Sequence, residues 1–214
     1  MTINVAYGPF LNKERITPVS LMKLILLLVL CFDLLYAQFC GENHLTYQTV
    51  AEAHSSGIPI IHCQSCGACS NLHDIGIYYV TRANMTDLAT KCAIQAAIPF
   101  VGREKAKQCM IDSGAPLTDA CMECWIDNMV CTRKKCLFVC AKFKLTGKEE
   151  DRKACLDCDE AKCGGEFGRC AGANRRRAGI RSDIDRDDHE ICKSVDCDWE
   201  SRVCRIPSFF HQIM

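Results

Sequence analysis

The sequence predicts a small, mostly α-helical, disulfide-rich fold. We expect several short helices, including a helical hairpin locked by disulfide bonds, between irregular N- and C-terminal flanks. Three observations support this prediction: an N-terminal segment typical of secretion, an even number of cysteines behind it, and helix-capping signals that begin near residue 85.

The N-terminal segment has the pattern of a secretory signal peptide. Residues 24–32 read LILLLVLCF, with Lys23 before them and Ala37 at the end of the segment. The run is too short to span a bilayer, and Asp33 interrupts it. We therefore predict a signal peptide at residues 1–37, a start at Met1 or Met22, and a secreted, extracellular protein with no membrane span after cleavage. An uncleaved anchor is the alternative, because Leu35 stands where a small residue is usual before the cleavage site.

Cysteine content points to disulfide bonds. Removal of residues 1–37 also removes Cys31, which leaves 18 of the 19 cysteines. In an oxidising compartment thiols pair unless a metal protects them, so the sequence predicts nine disulfide bonds and no cofactor. The 26 basic and 26 acidic residues balance, which argues against nucleic acid as a partner.

Capping and breaking residues place the predicted elements. Residues 58–61 and 75–81 are β-like, and residues 38–84 are expected to form an irregular, cysteine-containing segment. Residues 85–204 are expected to form a disulfide-rich helical domain, and residues 205–214 a flexible tail. Within the domain, Thr86 begins a helix that Pro99 ends, and a second helix covers residues 103–111. Thr118 and Thr132 begin two more, and Thr146 with Glu149 begins a fifth.

The hairpin prediction concerns the third and fourth of these helices. A turn at residues 130–133 would fold them antiparallel, so that positions equally far from the turn face each other. Two disulfide bonds would then form, Cys121–Cys140 and Cys124–Cys136. The alternative for these four cysteines is a structural zinc site.

A second cysteine motif lies near the N-terminus, in the stretch HCQSCGACSNLHD of residues 62–74. Cys63, Cys66 and Cys69, flanked by His62 and His73, could hold a metal ion or act in redox chemistry. The interpretation we favour is that three loop cysteines form disulfide bonds with three distant partners.

Two stretches suggest weaker sites. His73-Asp74 resembles the His-Asp pair of secreted phospholipases A2, but the doubled cysteine before it and the glycine-rich calcium loop are missing. Asp183, Asp185 and Asp187 have the spacing of the first three calcium ligands of an EF-hand loop. The required glycine and glutamate are replaced by Asp188 and Ser194, so only a looser calcium site is predicted. Alternatively, the five arginines and five acids between residues 174 and 190 neutralise each other.

Asn84 is the acceptor in the sequon Asn84-Met85-Thr86, and we predict a glycan there.

The motifs C-x-x-C-G, from Cys63, and CAGANRRRAGIRSDI, from Cys170, resemble an uncharacterised family of secreted eukaryotic cysteine-rich proteins. That resemblance implies secretion and transfers no catalytic residue. The sequence therefore favours a non-catalytic module that binds an extracellular protein or glycan, or is structural. The alternative is a small secreted hydrolase, with or without calcium assistance, that uses His73, Asp74 or the acidic run.

Overall fold

The computed structural model describes residues 38–95 and 101–206. The predicted signal peptide, Pro99 and the end of the predicted tail, from residue 207 onward, lie outside these ranges. Among the helices that are described, none has the length and apolar character needed to cross a membrane.

The N-terminal part combines a small sheet with two helices. Strands β1 (Phe39–Gly41), β2 (Thr46–Tyr47) and β3 (Ile60–Cys63) pair antiparallel in the order β2-β1-β3. Helix α1 (Val50–Ser55) connects β2 to β3, and helix α2 (Leu72–Val80) follows.

The β-like pattern of residues 75–81 was misleading, because these residues lie in and just after α2. Asn71 begins α2 by accepting a hydrogen bond from the Asp74 backbone N–H, at 2.8 Å. Ile75 and Tyr78, three residues apart and therefore on one helix face, are both fully buried. Capping and burial outweigh the β propensity of the isoleucine and tyrosine residues.

The remaining chain is mainly helical, which confirms the predicted fold class. The helices are α3 (Met85–Ala93), α4 (Gly102–Asp112), α5 (Asp119–Thr146), α6 (Glu149–Asp159) and α7 (Gly165–Ala171), with a π-helical turn (Glu160–Gly164) between the last two. Residues 172–196 contain no helix or strand, and a hairpin of β4 (Cys197–Asp198) and β5 (Val203–Cys204) follows.

The predicted turn at residues 130–133 is wrong, because α5 is one continuous helix of 28 residues. Thr132 is not a helix cap: its hydroxyl lies 2.8 Å from the carbonyl oxygen of Asn128, four residues earlier, and its single proton is shared between that oxygen and the Asp159 carboxylate. No glycine or proline interrupts the helix before Gly147, whose φ of 64° ends it in the left-handed conformation.

This continuity also makes the two predicted pairings, Cys121–Cys140 and Cys124–Cys136, wrong. At 1.5 Å per residue, those partners lie about 28 Å and about 18 Å apart along the helix axis, too far for a disulfide bond. All four cysteines are nevertheless disulfide-bonded. Within residues 38–95 and 101–206 nine bonds form: Cys40–Cys66, Cys63–Cys192, Cys69–Cys121, Cys92–Cys109, Cys124–Cys170, Cys131–Cys163, Cys136–Cys158, Cys140–Cys155 and Cys197–Cys204.

A disulfide-locked helical hairpin does exist, one helix later than predicted. Three of the bonds join α5 to α6 and the π-helical turn: Cys131–Cys163, Cys136–Cys158 and Cys140–Cys155. The turn of this antiparallel pair is Gly147, and residues equally far from it are bonded. We call this series the disulfide ladder.

The main core joins the N-terminal segment to the helices. Ile61, Ile75 and Tyr78 belong to the same buried cluster as Met110, Met122 and Ile126. The bond Cys69–Cys121 connects the two regions within this cluster. Residues on both sides of residue 84 therefore share one core.

Candidate functional site: a groove beside the long helix

An open apolar groove with a volume of about 730 Å³ runs along α5. Helices α3, α6 and α7 and the arginine-rich segment that follows α7 complete its walls. Most of the lining surface is apolar, and its larger apolar side chains are Ile94, Trp125, Met129, Leu137, Phe143, Leu145, Leu156, Phe167, Ile180, Ile184 and Ile191.

Aromatic side chains form one end of the groove. Trp125 packs between Tyr78 and Phe167, with ring centroids 6.0 Å and 5.0 Å away. Its indole N–H donates to the hydroxyl oxygen of Tyr78 at 2.9 Å, so the ring is fixed in orientation. Tyr78 is fully buried, and this burial raises the pKa of its hydroxyl above the usual range. Trp125 therefore gives the groove a rigid apolar wall.

Asp159 places a largely buried carboxylate on the groove wall. Asp159 accepts hydrogen bonds from the Thr132 hydroxyl and from the Asn128 amide, whose nitrogen lies 3.2 Å from Oδ1 and 3.4 Å from Oδ2. Burial raises the pKa of Asp159, since no ion pair within the described chain stabilises its charged form. The longer contact leaves Oδ2 with capacity to accept another hydrogen bond.

The arginine-rich segment, residues 174–190, forms another side of the groove and is held in place by ion pairs. Glu160 of the π-helical turn contacts Arg176 at 2.5 Å and also pairs with Arg186. Glu190 contacts the same two arginines, at 3.4 Å and 3.1 Å. The self-neutralising interpretation of residues 174–190 is therefore supported, and these pairs hold the segment against α6.

The predicted calcium ligands are not brought together. Asp183 pairs with Arg175 and, at 3.4 Å, with Arg152, and its side chain is only 10 % exposed. The part of the chain that is described has no group of three or more histidine, cysteine or acidic side chains placed to hold a metal ion. Asp183, Asp185 and Asp187 therefore do not form the predicted site, because the carboxylate of Asp183 already forms ion pairs with arginines.

His73 and Asp74 have structural contacts. Asp74 is fully buried and accepts hydrogen bonds from the backbone N–H and the hydroxyl of Thr118, at 2.7 Å and 2.6 Å. It also accepts one from Asn71, so it connects the N-termini of α2 and α5. His73 donates from Nε2 to the carbonyl oxygen of Pro116 at 2.8 Å. Neither side chain lines the groove.

The cysteine motif at residues 63–69 is a set of disulfide bonds to distant partners, as we predicted. Cys63, Cys66 and Cys69 bond to Cys192, Cys40 and Cys121. His62 is buried beside them, with Nδ1 donating to the Cys63 carbonyl and Nε2 accepting from the Ser70 hydroxyl, both at 2.7 Å. Its role is therefore structural.

The predicted glycan acceptor is exposed. Asn84 lies immediately before α3, and its side chain makes no capping hydrogen bond. Thr86, which completes the sequon, accepts a hydrogen bond from Arg175 at 3.2 Å and lines the groove. Glycosylation at Asn84 remains a prediction.

The groove was not predicted from the sequence. Asn128, Thr132 and Asp159 meet only after α6 folds back on α5, which required the correct helix boundaries. One signal was present: Leu137, Phe138 and Leu145 are apolar positions outside the buried face of the helix.

Comparison with known protein families finds a match to part of the chain. Residues 103–194 match a family model described as "Family of unknown function (DUF8771)". The matched range includes α4 to α7 and the arginine-rich segment, and so most of the groove lining. No curated protein matches the chain, and no solved structure matches it.

Proposed function

We propose that this protein is a secreted, non-catalytic binding module that takes a small, mainly apolar molecule into the groove. The observation that carries the proposal is the groove itself, about 730 Å³ in volume with mostly apolar walls. Sites for small molecules typically have volumes of about 300–1,000 Å³, mainly apolar linings and a few polar groups. Nine disulfide bonds are compatible with an extracellular location.

This ligand class differs from the protein or glycan partner that the sequence favoured. A glycan would require many polar groups to replace the water around its hydroxyls, whereas the groove walls are chiefly aliphatic and aromatic side chains. The disulfide ladder supports binding because it fixes α6, which ends at Asp159, against α5 before the ligand arrives. Preorganisation of this kind lowers the entropic cost of binding.

Asp159 gives the ligand an expected polar group. Oδ2 can accept a further hydrogen bond, and the carboxylate has no cation partner among the described residues. A hydroxyl or ammonium group on the ligand would supply the missing donor, whereas a ligand carboxylate would be repelled. We therefore expect a chain-like alcohol or amine to bind better than the acid of equal length.

The hydrolase alternative has no observation in its favour. His73 and Asp74 are engaged in backbone and side-chain hydrogen bonds away from the groove. Three of the acidic residues at 183–190 are paired with arginines: Asp183 with Arg175, Asp188 with Arg181, and Glu190 with Arg186.

The test is a fluorescence titration of the oxidised, full secreted chain with dodecan-1-ol, dodecylamine and dodecanoate. Trp125 lines the groove and reports binding. We expect saturable binding of the alcohol and the amine at one molecule per chain, and binding of the acid at least about tenfold weaker. The Ala141→Trp variant, which fills the groove from an exposed position on α5, should abolish it.

The matched control is Ala154→Trp, at an exposed position of α6 that does not line the groove. Asp159→Asn should reduce the preference for the amine over the acid, whereas Asp157→Asn, at an exposed position two residues earlier, should not. The proposal is overturned if no saturable binding occurs, or if Ala141→Trp binds as tightly as its control.

A further inference from the structure

The second half of α5 concentrates positive charge. Residues 129–148 contain no aspartate or glutamate, although the whole chain has equal numbers of basic and acidic residues. Six basic residues lie in this stretch: Arg133, Lys134, Lys135, Lys142, Lys144 and Lys148. The stretch is therefore a local cationic surface on a protein whose formal net charge is zero.

The same half of the helix exposes large apolar side chains. Phe138 and Leu145 are each 88 % exposed, and Leu137 is 52 % exposed. Phe138 and Leu145 lie two helical turns apart and therefore on one face. That face points away from Cys136, which is buried and bonded to α6. We call Leu137, Phe138 and Leu145 the apolar ridge.

Basic residues flank the apolar ridge on both sides. At about 100° per residue, Arg133 and Lys144 lie on the side of Leu137, and Lys135 and Lys142 lie on the opposite side. Lys134 lies on the ridge face itself. Lys142 pairs with Asp151 at 2.7 Å, whereas Arg133, Lys134 and Lys144 have no carboxylate within 4 Å in the described chain.

We propose that this face of α5 docks the protein on the surface of an anionic lipid membrane. Helices that lie in a membrane interface have Phe or Leu on one face and Lys or Arg beside it, and they favour anionic lipids. The apolar ridge would enter the headgroup region, and the long basic side chains on either side would reach lipid phosphates.

The geometry favours a lipid surface over a protein partner. A stable protein interface buries about 800 Å² on each side, whereas this ridge consists of three side chains on one helix. An anionic membrane surface also lies on both sides of the inserted ridge, so the basic side chains on each side can contact lipid phosphates at the same time. Leu137 and Leu145 also line the groove, whereas Phe138 and Lys134 do not, so this inference can be tested at residues outside the groove lining.

The test is cosedimentation of the full secreted chain with vesicles of phosphatidylcholine alone or with 30 % phosphatidylserine. We expect binding to the anionic vesicles, weakening as salt is raised, and at least about tenfold weaker binding to the neutral ones. Phe138→Ser should weaken binding to the anionic vesicles about tenfold, because the largest apolar group of the ridge is lost. Lys134→Glu should weaken it by a similar factor.

The matched controls are Ile111→Ser and Lys105→Glu, which change exposed residues of α4 and should bind as the wild type does. Each variant should also bind dodecan-1-ol normally, so failure of the membrane inference is distinguishable from failure of the groove. Equal binding to both kinds of vesicle, no binding to either, or equal losses in the controls would overturn the inference. Capture by an acidic protein without vesicle binding would do the same.

Discussion

At the scale of single residues, buried polar side chains serve the fold. His62 is fully buried, with both ring nitrogens hydrogen-bonded to neutral groups, and burial lowers its pKa to about 4. The Ser70 hydroxyl that donates to His62 accepts in turn from the Gly67 backbone N–H at 2.8 Å. The network requires a neutral imidazole, because Nε2 must accept.

This network predicts a pH dependence of stability. The pKa of His62 is lower in the folded state than its unfolded value of 6.5, so the unfolded state binds the proton more tightly. Stability should be fully present above pH 6.5 and should fall by about 3 kcal/mol between pH 6.5 and pH 4. The measurement is calorimetric unfolding with disulfides intact. In His62→Gln, which cannot titrate, most of this loss should disappear, and a wild type as insensitive as the variant would contradict the account.

The role of a single residue could be predicted from the sequence only where the groups that it contacts are close to it along the chain. The cap at Gly147 and the disulfide state of Cys63, Cys66 and Cys69 were predictable from local chemistry and compartment. The interactions of Asp74 with Thr118, and of Asp159 with Thr132, were not, because they join residues 44 and 27 positions apart. The sequence made His62 and Asp183 candidate metal ligands, because it does not reveal the groups that form hydrogen bonds and ion pairs with them in the fold.

At the scale of elements, α5 and α6 form the best-defined unit. The sequence indicated helices on both sides of residue 132 and a helix after Gly147, and those assignments agree with the structure. It placed a turn at Thr132 because threonine often caps helices, but the hydroxyl bonds instead to the carbonyl of Asn128. That single error displaced the predicted hairpin by one helix and with it the disulfide pairing.

The ladder should stabilise both the hairpin and the groove. Replacing Cys140 and Cys155 by alanine removes a bond that closes 15 residues, and we expect a loss of about 3 kcal/mol in unfolding free energy. Both cysteines line the groove, so dodecan-1-ol binding should weaken as well. Removing Cys197 and Cys204, whose bond closes only seven residues, should leave binding unchanged. Equal effects of the two removals on binding would contradict a role for the ladder.

At the scale of the whole molecule, cross-links join regions that are distant along the chain and share one buried core. The bond between Cys63 and Cys192 ties β3 to the end of the arginine-rich segment, 129 residues away. Cys124–Cys170 and the ladder attach α6 and α7 to the long helix. The number of bonds followed from the composition, but their connectivity depends on the tertiary fold and could not be read from spacing.

The groove and the proposed membrane face depend on this connectivity, because it defines where α6 lies against α5. The most direct test is mass-spectrometric mapping of disulfide-linked peptides from the oxidised protein, digested without reduction. The account predicts peptides that link Cys131 to Cys163, Cys136 to Cys158 and Cys140 to Cys155. Peptides that link Cys121 to Cys140 and Cys124 to Cys136 would contradict it, since α5 would then be broken and the groove wall absent.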